Sequence, residues 1–168
     1  MSLNATAGSS SAEAYCTVAE ADTYNVMHPA TADWTGTDTE KENCIKVATR
    51  WLDERVSWNG TKETTTQALR IPRSSWVNLD NESIDATTIP TAIKNATAEL
   101  ARHIKKDGDL GANADGKGIT DLKVGSVALT FDKTDTADVL PSIVQEMLRG
   151  WGTIHGRAKF GIVEVVRS

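Results

Sequence analysis

The spacing of apolar positions divides the chain into four helical patterns, one alternating pattern and long stretches without a period. Residues 1–14 (MSLNATAGSSSAEA) are small, polar and too poor in apolar groups to pack by themselves, which predicts a flexible or partner-bound arm. Thr17 and Glu20 form a capping-box pair opening a first helix with Val18, Ala21, Tyr24 and Val26, which ends at His28-Pro29. A second capping box, Thr37 to Glu40, opens the strongest helical pattern. Cys44, Ile45, Val47, Ala48, Trp51 and Leu52 recur at helical spacing, opposite Lys41, Glu42, Lys46, Arg50, Asp53 and Glu54. The pattern fades at Arg55 or Val56, and Asn59-Gly60 is a turn signal.

From Thr61 to Thr88 no long period appears, and Ala68 to Arg73, Trp76 and Leu79 read as anchors of an irregular excursion. A loop of this length in a compact domain usually has a task or a partner. Pro90 suits the first turn of a third helix, with Thr88 as a possible cap. Ile93, Ala96, Leu100 and Ile104 form its apolar stripe, Thr97 is its one polar member, and Gly108 ends it. After a glycine-rich stretch the period changes to two. Leu122 and Val124, then Val127, Leu129 and Phe131, flank Gly125-Ser126, which predicts a hairpin with a two-residue turn. Leu140-Pro141 leads into a fourth helix with Ile143, Val144, Met147, Leu148 and Trp151. Phe160 to Val166 reads as an extended strand that must pair within the domain or with another chain. The expected class is mainly α, with its core at Val18, Tyr24, Ile45, Ala48, Trp51, Leu52, Ile93, Leu100, Ile104, Ile143, Met147 and Leu148.

Length and composition narrow the function. The 168 residues suit one domain, and 39% hydrophobic with 24% charged residues is an ordinary globular balance. No apolar run approaches the roughly 18 residues of a membrane helix, and the first 14 residues lack the pattern of a signal peptide, so a chain neither membrane-spanning nor obviously secreted is expected. With 18 Lys+Arg against 23 Asp+Glu, the net charge of −5 argues against non-specific gripping of phosphates. Cys16 and Cys44 have no metal-site spacing. Cys44, on an apolar face, reads as a buried free thiol, with a bridge to Cys16 left open.

Catalytic patterns fail one by one. Gly111 to Lys117 has phosphate-loop spacing, but a helix precedes it, a strand follows, and position 118 is glycine where Ser or Thr is needed. Asp107, Asp109, Asn113 and Asp115 lack the terminal glutamate of a calcium loop. His28, His103 and His155 are far apart, with His103 expected in solvent. Asp53-Glu54 beside Arg50 and Arg55 reads as a surface ion-pair row. No enzyme, cofactor or metal is expected. Five tryptophans (34, 51, 58, 76 and 151) are candidates for stacking on bases, but that mode needs a basic groove, and residues 1–45 hold seven acids against one lysine. Trp51 and Trp151 sit on apolar helix faces, where core packing is the default. Trp34, Trp58 and Trp76 lie near turns.

The ordered motifs carry a resemblance. Tyr15 to Asp22 with Tyr24, Ala48 to Arg55, Trp58-Asn-Gly60, Gln67 to Leu69 and Ile71-Pro-Arg73 come first. Ile89-Pro90, Lys94, Ala98 to Ala101, Lys123-Val-Gly125 and Pro141 follow. Over about residues 15–150 the chain resembles a family of tailed-phage proteins often labelled DnaT-like single-stranded DNA-binding, themselves similar to head–tail connector adaptors. The departure is Ile71, where the pattern often has Trp before Pro-Arg.

That resemblance implies a small four-helix bundle with a protruding β-hairpin (about 119–132) and an extended C-terminal strand. It divides the chain into an arm (1–14), an adaptor domain (15–152) and a docking tail (153–168). The implied function is a structural virion protein: a ring of about twelve copies beneath a portal protein, presenting a surface to the next connector, stopper or tail protein. DNA would pass its channel without specific binding. The expected location is the virion neck, and the host cytoplasm during assembly. Portal docking would fall to Arg157, Lys159, Phe160, Ile162, Val163, Val165, Val166 and Arg167, in a tail that is basic while the body is acidic. Contact with a neighbouring subunit would fall to Lys123, Val124, Gly125, Ser126 and Val127. Two alternatives stand beside it: a primosome-like single-stranded DNA-binding module using Trp58 or Trp76, and a tail-completion or terminator ring protein.

Overall fold

The computed structural model describes residues 3–79, 81–108, 121–124, 127–130 and 140–155. The fold is mainly helical, with four helices among the described residues: α1 (Val18–Val26), α2 (Asp38–Arg55), α3 (Thr91–Asp107) and α4 (Ser142–Met147). A 3-10 turn at Thr31–Trp34 joins α1 to α2. Short antiparallel pairs complete the described part: β1 (Val56–Trp58) with β6 (Gly152–Ile154), β2 (Thr61–Lys62) with β3 (Arg73–Ser74), and β4 (Asp121–Val124) with β5 (Val127–Thr130). Among the described residues no helix is long and apolar enough to cross a membrane.

Both expected capping boxes form. Thr17 Oγ1 accepts from Glu20 N and Thr37 Oγ1 from Glu40 N, while each glutamate reaches back to the cap's own N–H. These motifs need only residues three apart, so sequence specifies them locally. The third helix instead starts after Pro90 with no side-chain cap, and Thr88 is not used as one.

α3 is the axis of the molecule, packed against α1, α2, the 3-10 turn and α4. Lys105 near its end pairs with Glu40 at the start of α2, so those helices run antiparallel. Glu20 meets Lys94 and Asp33 meets Arg102, so α1 and the turn after it follow α3 in the same direction. Enclosure on several sides buries Ile93, Ala96, Thr97, Ala98, Leu100, Ala101 and Ile104, and with them the charged Glu99 and Arg102. The Thr97 hydroxyl donates to Ile93 O at 2.8 Å, which accounts for a polar residue in the stripe.

Of the expected core residues, Ile45, Ala48, Trp51, Leu52, Ile93, Leu100, Ile104 and Leu148 are buried. Val18, Tyr24 and Met147 are half-buried at its margin. Ile143 needs correction: it is exposed, and Leu140, Val144 and Leu148 are the buried contacts of this segment. The reason is length. α4 has six residues, too few to fix a wide apolar stripe, and the chain leaves it at Gly150 (φ +83°) to pair with β1. Leu79, expected as an anchor, is likewise exposed.

The N-terminal segment is no free arm over its described part. Leu3, Ala12 and Ala14 are buried, Leu3 N donates to Glu42, and Glu13 pairs with Lys46 at 3.0 Å. Small residues pack here because α2 offers both a surface and partners. The hairpin forms in the expected register, Val124 opposite Val127, which leaves a two-residue connection. Residues 125–126 and the tail positions Arg157 to Arg167 lie outside the described residues. Cys16 and Cys44 are free, and Cys16 is the buried one; burial pushes its thiol up to about 12.

Candidate nucleic-acid interface

The irregular excursion after α2 is held by side chains whose partners are mostly backbone groups. Gln67 is buried; its Oε1 accepts from Thr64 N at 3.0 Å, and its Nε2 donates to Leu69 O at 2.9 Å and Pro72 O at 3.0 Å. Arg73 clamps the other side, donating to Asn59 O at 2.6 Å, Gly60 O at 2.7 Å and Arg70 O at 3.2 Å. Lys62 Nζ donates to Gln67 O at 2.8 Å. Gly60 has φ +71°, and a Cβ there would lie 2.5 Å from Ser74 O, so the turn requires glycine. The loop therefore has a framework of its own.

That framework is fixed to an aromatic column. Trp58 meets Trp76 edge-on at 6.1 Å, Trp76 meets Trp151 at 5.1 Å, and Tyr15 meets Trp58 at 6.4 Å. Asp53 ties the column to α2: it accepts from the Tyr15 hydroxyl, from Trp58 Nε1 at 3.4 Å and from Arg70 N at 3.2 Å. Burial pushes its carboxyl up against these hydrogen bonds, and burial together with Asp53 pushes the Tyr15 phenol well up. Asp53 is thus a strut. The surface row expected for it survives only as Arg50–Glu54 at 3.9 Å and Arg55–Glu54 at 3.6 Å.

Residues 55–76 carry Arg55, Lys62, Arg70 and Arg73 against Glu63 alone, in a chain whose net charge is −5. Lys62 and Arg73 are opposite each other in the β2–β3 pair, which puts both side chains on one face of that ribbon. Arg70 is exposed, and Arg55 lies over the Trp51 ring at 3.6 Å. Thr61, Thr64, Thr65, Thr66 and Ser75 are exposed on the same segment and add hydroxyl donors. Such a surface can hold phosphate oxygens.

The tryptophans are not its stacking platform. Trp34, Trp51, Trp58 and Trp76 are all less than a tenth exposed, and only Trp151 is half-buried. Their place in the core corrects the expectation that Trp58 or Trp76 meets bases directly.

A groove lies between α1 and α3. It holds about 730 Å³ and is lined by Ala19, Glu20, Thr23, Tyr24, Met27, His28, Pro29, Thr91, Lys94 and Asn95. Beneath its His28 end sits a buried ionic cluster that sequence reasoning missed. Glu99, fully buried, pairs with Arg102 and lies 3.2 Å from His103 Nε2 and 3.9 Å from His28 Nε2, while Arg102 reaches Asp33 at 3.2 Å. His103 is therefore a half-buried partner of a carboxylate, not a solvated side chain. Among the described residues no group of His, Cys, Asp or Glu is arranged to hold a metal ion.

Residues 1–168 match a family model described as "Putative DnaT-like ssDNA binding protein". No curated protein and no solved structure matches the chain. The match corrects the connector-adaptor expectation. A portal partner, a ring of identical subunits, a next connector or tail protein, and passage of DNA without binding give way to a non-enzymatic family described by DNA binding. The chain belongs, over its whole length, to the family of DnaT-like single-stranded DNA-binding proteins.

Proposed function

We propose that this protein binds single-stranded DNA in the cytoplasm, holding the sugar–phosphate backbone on the cationic excursion of residues 55–76. The observation that carries the reading is the full-length family match. The local excess of Arg55, Lys62, Arg70 and Arg73 over Glu63 supports putting the contact on this segment. Binding of this kind is electrostatic, tolerant of sequence and sensitive to salt. The acidic excess of residues 1–45 weakens the overall attraction for phosphate, so affinity is modest and the phosphate contacts centre on residues 55–76.

The test is fluorescence anisotropy of a dye-labelled oligonucleotide titrated at several salt concentrations. Four phosphate contacts give a log–log slope near −2.8, hence about a 50-fold loss of affinity between about 50 and 200 mM salt. Arg70 is the residue to change, because its exposed side chain is not part of the loop's framework. Arg70→Ala should reduce the slope by about 0.7 and leave stability unchanged. Absence of binding at 20 mM salt refutes the reading.

A further inference from the structure

Phosphate contacts alone do not distinguish single strands from duplex, so a single-strand binder needs a place for an unpaired base. Stacking requires an accessible ring. Among the described aromatic residues, Tyr15, Trp34, Trp51, Trp58 and Trp76 are buried, and only Tyr24 and Trp151 are partly open. Trp151 is engaged edge-on by Trp76. Tyr24 lines the α1–α3 groove, with its hydroxyl held beside Met147 Sδ at 3.9 Å.

The chemistry of that groove suits a neutral heteroaromatic ring. Its ammonium and its carboxylate already neutralise each other, Lys94 Nζ standing 2.6 Å from Glu20 Oε1. The lining therefore offers little to a free phosphate or another charged ligand. Ala19, Met27 and Pro29 supply apolar wall, while Thr23, Thr91 and Asn95 supply hydroxyl and amide groups able to meet a base edge. A volume of about 730 Å³ falls within the roughly 300–1,000 Å³ range of ligand sites.

We infer that the groove between α1 and α3 receives an unpaired nucleobase, stacked against Tyr24 and bounded by Met27 and Pro29. This inference rests on the DNA-binding reading and adds a base-dependent contact to it. The two contacts differ in salt response. The cationic excursion sets the slope of affinity with salt, whereas stacking in a charge-compensated groove contributes a nearly salt-independent factor.

The experiment compares a thymidine oligonucleotide with one of equal length and charge built from abasic nucleotides. Both are titrated against the full chain, Tyr24→Leu, Ala19→Leu and Arg70→Ala. Ala19 is an exposed helical position, so leucine there fills the groove without disturbing the core, and it guards against a folding defect in Tyr24→Leu. The full chain should bind the base-bearing oligonucleotide about tenfold more tightly than the abasic one. Tyr24→Leu and Ala19→Leu should abolish that ratio at unchanged salt slope, whereas Arg70→Ala should lower the slope for both oligonucleotides and keep the ratio. Equal binding of the two oligonucleotides by the full chain, or an unchanged ratio in Ala19→Leu, overturns the groove assignment alone. Failure of the full chain to bind either one at low salt overturns the DNA-binding reading instead.

Discussion

Glu99 shows how far a single side chain depends on what surrounds it. Burial raises the pKa of its carboxyl, but hydrogen bonds from His103 and Arg102 and their charges outweigh burial and bring it down to about 2. A carboxylate depressed in this way stabilises the fold above its ordinary pKa of 4.5, and the contribution disappears as pH falls towards 2. Glu99→Gln leaves Arg102 buried with one partner fewer, which costs about 3–5 kcal/mol at pH 7. Urea midpoints should therefore separate the two proteins widely at pH 7 and by less than half as much at pH 3. An equal gap at both pH values would show that the pair is only a packing contact. Sequence did not reveal this pair, because Glu and Arg three apart on a helix look like a surface ion pair. Only the enclosure of α3 by α1, the 3-10 turn and α4 turns them inward. Asp53 leaves its expected surface row for the same reason. Its three donors come from residues 15, 58 and 70, which no local pattern connects.

At the scale of elements, legibility follows the range of the interactions. The first two helices were readable to within a residue or two, since capping boxes and apolar stripes are local, and so was the register of the hairpin. The excursion of residues 61–88 showed only that something anchored it. Ile71 and Trp76 do anchor it in the core, but a buried amide and a guanidinium also satisfy backbone carbonyls in a segment with little secondary structure. Polar anchors leave no periodicity to detect. The framework can be tested without touching a cation. Gln67→Ala removes the partners of Thr64 N, Leu69 O and Pro72 O, at a cost of about 1–3 kcal/mol. It should also speed hydrogen exchange of the Thr64 amide and weaken DNA binding several-fold. Unchanged affinity in a loosened loop would mean that the cations act from a mobile segment, with no need of a fixed arrangement.

For the whole molecule, the distribution of charge matters more than its total. A net charge of −5 counted against DNA binding only while it was spread evenly over the chain. Seven acids against one lysine in residues 1–45, and four cations against one acid in residues 55–76, divide it into regions of opposite sign. The 18-residue α2 spans these regions, with Asp38 at one end and Arg55 at the other, about 25 Å apart. Two neutralisations alter the total equally but in different places: Glu63→Gln within the cationic excursion, and Asp38→Asn at the far end of that helix. At 0.1 M salt, where screening extends about 10 Å, only the first should tighten DNA binding, about two- to threefold. At 0.01 M salt the screening length reaches about 30 Å, and Asp38→Asn should then strengthen binding too. Anisotropy titrations at the two salt concentrations measure both effects. If the substitutions act equally at 0.1 M, total charge governs association and the segment 55–76 is not the site. If they diverge as described, the fold uses α2 as a spacer that keeps the acidic start of that helix out of the field around the phosphates held at residues 55–76.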